Sequence, residues 1–300
     1  MFKSIHTDNL PRMSLLKSST LQLLRFPFSF FLMPVFWFAL SFSGDINPLK
    51  ALLVFIIMHL LVYPSSNGYN SYMDRDTGSI GGIEHPMAPE KELFYVTIGM
   101  DILALILGLA VSLPFAGMLS CYIICSRLYS YRGIRLKQYP IAGYFTVVAN
   151  QGGLVFLMVW NAVTAAQQPV PWEGVFAACF LIGGFYPITQ VYQHRADAKD
   201  GVCTLSMLLG VRGTFIFCGI MYLIAFGILF VHFSRLGQLQ FFGILQIFFL
   251  PVLVYFFRWL VQVWKDPEAA DFRRTMRMNW LASACTNLAF ITLMILLHRG

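Results

Sequence analysis

Charge is scarce in this sequence. Asp, Glu, Lys and Arg make up 12% of its 300 residues, where a soluble domain averages roughly 25%. A chain so poor in charge cannot clothe a globule in a solvated surface, and a soluble fold is excluded. The six cysteines (Cys121, Cys125, Cys179, Cys203, Cys218 and Cys285) are scattered through apolar stretches. They form no disulfide framework and no zinc pattern, and read as small packing residues. The histidines show no metal-ligand spacing either. There is no low-complexity tract, no long linker and no separate soluble segment, so residues 1–300 read as a single integral-membrane domain. The polar first twenty residues hold no short apolar core followed by a small-residue cleavage site. The first apolar stretch is therefore expected to stay as an anchor.

Apolar residues are what the chain has in excess. They make up 58% of it, mean hydropathy is +0.67, and there are 29 Phe. Nine stretches, at about 21–43, 49–67, 93–113, 115–130, 141–163, 173–192, 214–234, 240–263 and 279–298, each approach the roughly 20 residues a helix needs to cross a bilayer. The expected fold is all-α: a multi-pass membrane protein of about nine transmembrane helices. Of the 21 Lys and Arg, seventeen fall in the N-terminal segment and the even-to-odd loops, and only Lys50, Arg235 and Arg299 on the other side. Basic residues favour the cytoplasm. The N-terminus and those loops are expected inside and the C-terminus outside, in the inner membrane if the cell is bacterial. The net charge of +7 is thus mostly topology, and no nucleic-acid partner is expected.

Two short segments are written alike. "YPSSNGYNSYMD" (63–74) and "YPITQVYQHRAD" (186–197) align at an offset of 123. They share two Tyr, a Pro and a final Asp, and Asn67 and Asn70 match Gln190 and Gln193 in kind. Each copy leaves an even-numbered span at the inner face, so the repeat is parallel. Asn67, Asn70 and Asp74 stand at i, i+3 and i+7 and share one helix face, as do Gln190, Gln193 and Asp197. His59 and Tyr63 continue the first stripe into the membrane. Pro64 and Pro187 are expected to kink their helices toward a central cavity.

An acidic loop follows each copy, with Asp74, Asp76 and Glu84 in the first and Asp197 and Asp200 in the second. Carboxylates in two facing clusters suit a hard divalent cation such as magnesium, which leaves coordination positions for substrate phosphate. Basic residues are interleaved: Arg75, His194, Arg195, Lys199 and Arg212, with Arg127, Arg132, Arg135 and Lys137 from the end of the fourth span onward. Acid for metal and base for phosphate oxygens on one face read as a metal-diphosphate site.

At these residues the chain resembles the UbiA-type intramembrane prenyltransferases. That family carries Asn-Asp-x-x-Asp-x-x-x-Asp after its second span and Asp-x-x-x-Asp after its sixth. "NSYMDRDTG" matches the first motif at Asn70 and Asp74, and "QHRADAKDGVCTLSMLLG" matches the second at Asp197, with a family-like "GxxTLxxxLG" continuation. Ser71 and Gly78 stand where the first motif has Asp, Gln193 where the second does, and His85-Pro86 where Arg-Pro is usual. Asp76 and Asp200 would compensate from shifted positions. The resemblance implies nine helices around a central cavity, as two pseudo-repeated four-helix halves plus a ninth helix. It implies transfer of a prenyl group from an allylic polyprenyl diphosphate to an aromatic or other lipophilic acceptor, assisted by magnesium. Asp74, Asp76, Asp197 and Asp200 would hold the metal, while Asn70 and Gln193 would position its water or phosphate oxygens. Arg75, Arg132, Arg135, Lys137, Tyr192, Arg195 and Lys199 form the candidate substrate-binding set.

The remaining polar residues have blander expectations. Asp101 should pair inside the membrane with Asn150 or Gln151 of span five, or with a cation in the cavity. Arg258 should snorkel, Asn279 and Asn287 should bridge helices, and "KDPEAADFRRTMRMN" should form a surface helix. Two rival functions stay open: a transporter built on repeats and broken helices, and a catalytically weakened lipid-binding homologue.

Overall fold

The computed structural model describes residues 16–164 and 168–298. Lys3, Arg12, Arg299 and most of the polar segment behind the anchor expectation lie outside the described residues. All nine expected spans are helical: Ser18–Ser41, Pro48–Asp74, Lys91–Val111, Leu113–Ser130, Pro140–Val163, Trp172–Lys199, Leu205–Arg235, Leu239–Lys265 and Phe272–Leu297. They are called spans one to nine. Eight are long and apolar enough to cross a membrane. Span four is an 18-residue helix made more polar by Arg127 and three serines.

Local chemistry sets where the spans begin. Spans two, four and five open with Pro in the first turn, where a missing N–H goes unnoticed. The side chains of Asn47, Ser112, Thr204 and Asp271 each accept from the backbone N–H three residues on. The Asp271 cap starts span nine at Phe272. The surface helix expected before it is reduced to the 3-10 turn Pro267–Ala269.

Consecutive spans are neighbours in space, and span nine packs between spans eight and one to close the ring. Phe38, Phe156 and Phe290, all buried, meet where spans one, five and nine converge. The Phe38 and Phe290 rings are 4.5 Å apart and those of Phe38 and Phe156 5.4 Å. Outward-facing Leu109, Leu223 and Phe257 remain exposed, as suits a surface bathed in lipid chains no more polar than they are.

Four interruptions shape the interior. Spans two and five each contain a π-helical turn, Ile57–Val62 and Val148–Leu154, a feature that clusters at functional sites. The first turn immediately precedes Tyr63-Pro64, and the helix runs on unbroken to Asp74. Pro187 acts more severely: regular helix ends at Ile188, followed by a 3-10 turn, Val191–Gln193, and a short helix, His194–Lys199. The second polar stripe is therefore not carried on one continuous helix. Span seven is kinked at Gly210, whose φ of 67° is a conformation that residues with a Cβ avoid.

Candidate active site

Inside the ring lies a cavity of about 250 Å³. Both stripes line it: Asn67, Asn70 and Asp74 from span two, Gln190, Gln193 and Asp197 beyond the break in span six. The helix break has not disrupted the second stripe, because a 3-10 turn and a short helix keep its three side chains on one side. Asp76, Lys137 and Tyr192 join them.

The two stripes differ electrostatically. Asp74 is buried and held on several sides. Lys137 Nζ stands 2.5 Å from Asp74 Oδ2, Asn70 Nδ2 donates to the same oxygen at 2.8 Å, and Arg135 is 3.6 Å from Oδ1. That last distance is beyond hydrogen-bond reach, so Oδ1 has no hydrogen-bond partner. Asn70 also donates to Ser130 at 3.0 Å, and Arg132 donates to the carbonyls of Met73 and Asp74. Neither Asp76 nor Asp197 has a side-chain partner among the described residues, although both line the cavity. Burial first, then the charge of Asp74, raises the Asp76 carboxyl above its ordinary range.

Several candidates fall outside the cavity wall. Asp200 is turned aside: it pairs with Arg135 and stands 3.6 Å from Arg132. The reason is local, since Arg135 adopts a left-handed backbone (φ 50°) that places its guanidinium between Asp74 and Asp200. Arg132 and Arg135 thus brace the acidic motifs from behind. Arg195 pairs at the surface with Glu268, Lys199 is exposed, and Arg75 lies over the Tyr72 ring at 5.9 Å. None of these three lines the cavity.

Asp101 pairs with a cation, as one of its two expectations had it, but with one that does not line the cavity. It is bound by Arg127 and by Ser65, whose Oγ donates to Oδ1 at 2.6 Å. Arg127 belongs to span four rather than to the loop after it, and so it reaches Asp101 within the helix bundle. Asn150 and Gln151 bond to Tyr122 instead. His59 is buried between Phe55 and Tyr63 and does not line the cavity. Asn287 bridges spans nine and one by donating to the Phe30 carbonyl, as expected, whereas Asn279 lines the cavity.

The profile of the UbiA prenyltransferase family matches residues 31–282. The chain belongs to that family. The fold agrees: a UbiA homologue from Archaeoglobus fulgidus bound to DMAPP and Mg2+ superposes with a TM-score of 0.71 at 17% identity, covering 94% of this chain and 99% of that one. A digeranylgeranylglyceryl phosphate synthase structure gives 0.61 at 20% identity, over 92% and 98%. An apo UbiA homologue from Aeropyrum pernix K1 gives 0.65 at 14%, over 91% and 98%. No curated protein sequence matches the chain.

In this UbiA-family member the donors available to a magnesium ion are sparse. Among the described residues, no three His, Cys, Asp or Glu side chains sit close enough to ligate one ion together. The donor chemistry nevertheless fits. Asp76 and Asp197 are unpartnered carboxylates on one cavity, and Asp74 Oδ1 is buried with a lone pair unused. Magnesium characteristically takes one or two carboxylates and keeps water or phosphate elsewhere, so a three-carboxylate cage is not required. The family-motif departures are compatible with this arrangement. Ser71, in place of Asp, is buried with its hydroxyl unpartnered, and Gly78 sits in open space.

Sequence reasoning missed some of the wall. Arg25, one of the basic residues of the N-terminal segment, is buried, donates to the carbonyls of Gly81 and Asn67, and lines the cavity. Tyr129 and Tyr186 bond to each other across spans four and six, and Gln190 donates to Tyr186 at 2.9 Å. Position Tyr186 was visible as the first residue of the repeat; nothing local singled out Tyr129.

Proposed function

We propose that this UbiA-family chain transfers a prenyl group from an allylic diphosphate to a lipophilic acceptor, with the diphosphate at the Asp74, Asp76 and Asp197 end of the cavity. The observation that carries this reading is the convergence of both polar stripes on one cavity. Carboxylates and cations mark one end; Phe31, Leu32, Ile182 and Phe185 supply apolar wall. Asp74, Asp76 and Asp197 would hold magnesium, which supplies stabilisation of the negative charge on the leaving diphosphate. Lys137 and Arg25 add fixed positive charge for phosphate oxygens, and Asn70 and Gln193 orient them as neutral amides. The allylic carbon–oxygen bond breaks with its electron pair leaving on the diphosphate. The acceptor's nucleophilic atom bonds to the allylic carbon and the acceptor gives up one proton. Tyr129, Tyr186 and Phe185 offer electron-rich faces to the developing carbocation.

The distribution of basic residues supports a cytoplasmic site, with the N-terminus inside and the C-terminus outside. We also take residues 1–300 as one functional domain. Carboxylates at the ends of the spans, rather than at the bilayer midplane, favour transfer chemistry over transport.

The test is product formation in lipid nanodiscs with farnesyl or geranylgeranyl diphosphate and a host lipid extract, read by mass spectrometry. A product that requires magnesium and is lost in Asp197→Asn is expected. Neither product nor magnesium-dependent diphosphate binding would overturn the reading in favour of a silent lipid-binding homologue.

A further inference from the structure

Beside its apolar and tyrosine faces, the cavity wall carries four unpartnered amide acceptors, against one unpartnered amide donor, Asn67 Nδ2 on the stripe of span two. Asn150 Oδ1, Gln151 Oε1, Gln190 Oε1 and Asn279 Oδ1 are buried amide oxygens without a hydrogen-bond partner, and all four residues line the cavity. Asn150 is 6% exposed, Gln190 7% and Asn279 1%. An amide oxygen accepts hydrogen bonds and cannot donate. At Asn150 this assignment is forced by geometry. Its Nδ2 meets the backbone carbonyl of Tyr122 at 3.2 Å, and a carbonyl only accepts, so the NH₂ must face it and the oxygen is left over.

The backbone is built to make this display. Asn150 and Gln151 are adjacent in sequence, and a regular helix turns adjacent residues 100° apart. Here both lie within the π-helical turn Val148–Leu154, and both line the cavity. The next residue, Gly152, lets span six come so close that a Cβ would stand 2.8 Å from Cys179 Cα. A π turn and a glycine contact thus hold two amides toward the interior of a helix that otherwise carries Val, Leu, Phe and Met around them. Buried acceptors left empty in the interior of a membrane protein call for a donor to meet them.

We infer that these amides form the binding site for the second substrate, and that this substrate is a neutral lipophile presenting hydroxyl or N–H donors rather than a carboxylate. An anionic head would be set against amide oxygens with no cation among them; the cations that line the cavity, Arg25 and Lys137, stand with the acidic motifs. The inference rests on the prenyl-transfer reading for the word substrate, but not for the chemistry of the site.

The experiment measures binding to the full chain in phosphatidylcholine nanodiscs without diphosphate, with the signal from protein-free discs subtracted. Three probes differ only in the group presented: 2-naphthol donates a hydrogen bond, 2-methoxynaphthalene only accepts, and 2-naphthoate is an anion. Naphthol is expected to bind about tenfold more tightly than either of the others, the worth of one hydrogen bond of about 1.4 kcal/mol. Asn150→Leu is expected to abolish that preference while retaining magnesium-dependent binding of geranyl diphosphate. Asn279→Leu serves as the second variant should Asn150→Leu fail to fold, and is expected to reduce the preference. Equal binding of naphthol and its methyl ether, tighter binding of naphthoate, or an unchanged preference in a folded Asn150→Leu would each overturn the inference. Loss of diphosphate binding by the unmodified chain would instead count against the prenyl-transfer reading, and leaves the probe comparison standing as its own measurement.

Discussion

The two polar stripes began as near copies of one sentence and have become different instruments. In the first, span two runs as helix to its end, and Asp74 is buried with Lys137, Asn70 and Arg135 around it. In the second, Pro187 breaks the helix, and Asp197 sits on a six-residue helix with no side-chain partner. One copy is a fixed fixture and the other an open hand. The difference teaches that a repeated motif need not repeat its surroundings: Asp74 is held by its neighbours, while Asp197 keeps an unpaired carboxylate on the cavity.

The sharpest way to break this contrast is to neutralise each acid in turn. Asp197→Asn should lower magnesium-dependent turnover by roughly 10²–10³-fold and leave the thermal midpoint of the nanodisc-embedded protein unchanged. Asp74→Asn should lose turnover too, but also about 3 kcal/mol of stability, because Lys137 is left as a largely buried charge without its carboxylate, whereas Arg135 keeps Asp200. Matching stability losses would erase the distinction. Next in size, Asp101→Asn strips the carboxylate from the partly buried Arg127, and should cost about 2 kcal/mol by denaturant unfolding without altering the magnesium requirement.

A smaller effect separates Asp76 from Asp74. The folded protein holds the Asp76 carboxyl above its ordinary range, through burial and the charge of Asp74. Its contribution to stability is therefore present below that ordinary range and is lost as pH rises through the raised value. In chelator, the unmodified chain should lose more stability across that window than Asp76→Asn does; parallel profiles would contradict the assignment. Smallest of all, Arg195→Ala removes only an exposed pair with Glu268, and turnover should change by no more than about twofold. A larger loss would return Arg195 to the substrate-binding set.

Much of the fold was legible because its signals are local. Nine apolar stretches predicted nine helices, and the i, i+3, i+7 stripe correctly grouped Asn67, Asn70 and Asp74 on one cavity wall. The same logic grouped Gln190, Gln193 and Asp197, although the chain reaches that grouping through a turn rather than a helix. For Asp101 the sequence left an amide of span five or a cation open; the partner is Arg127, because the fold packs span four against span three. Asn279 was read as a helix bridge, since sequence gives the depth of an amide but not the direction it faces.

The sequence by itself determined a multi-pass helical membrane protein of about nine helices with two matched polar stripes, because hydropathy and helical period act over a few residues at a time. Only the tertiary structure decided which acids stay free and which are neutralised. A left-handed residue at Arg135 diverts Asp200, and a π turn wedged against span six brings Asn150 and Gln151 to the cavity together. Those outcomes depend on how far a guanidinium reaches and how closely two helices approach, and both are set by neighbours distant in the chain.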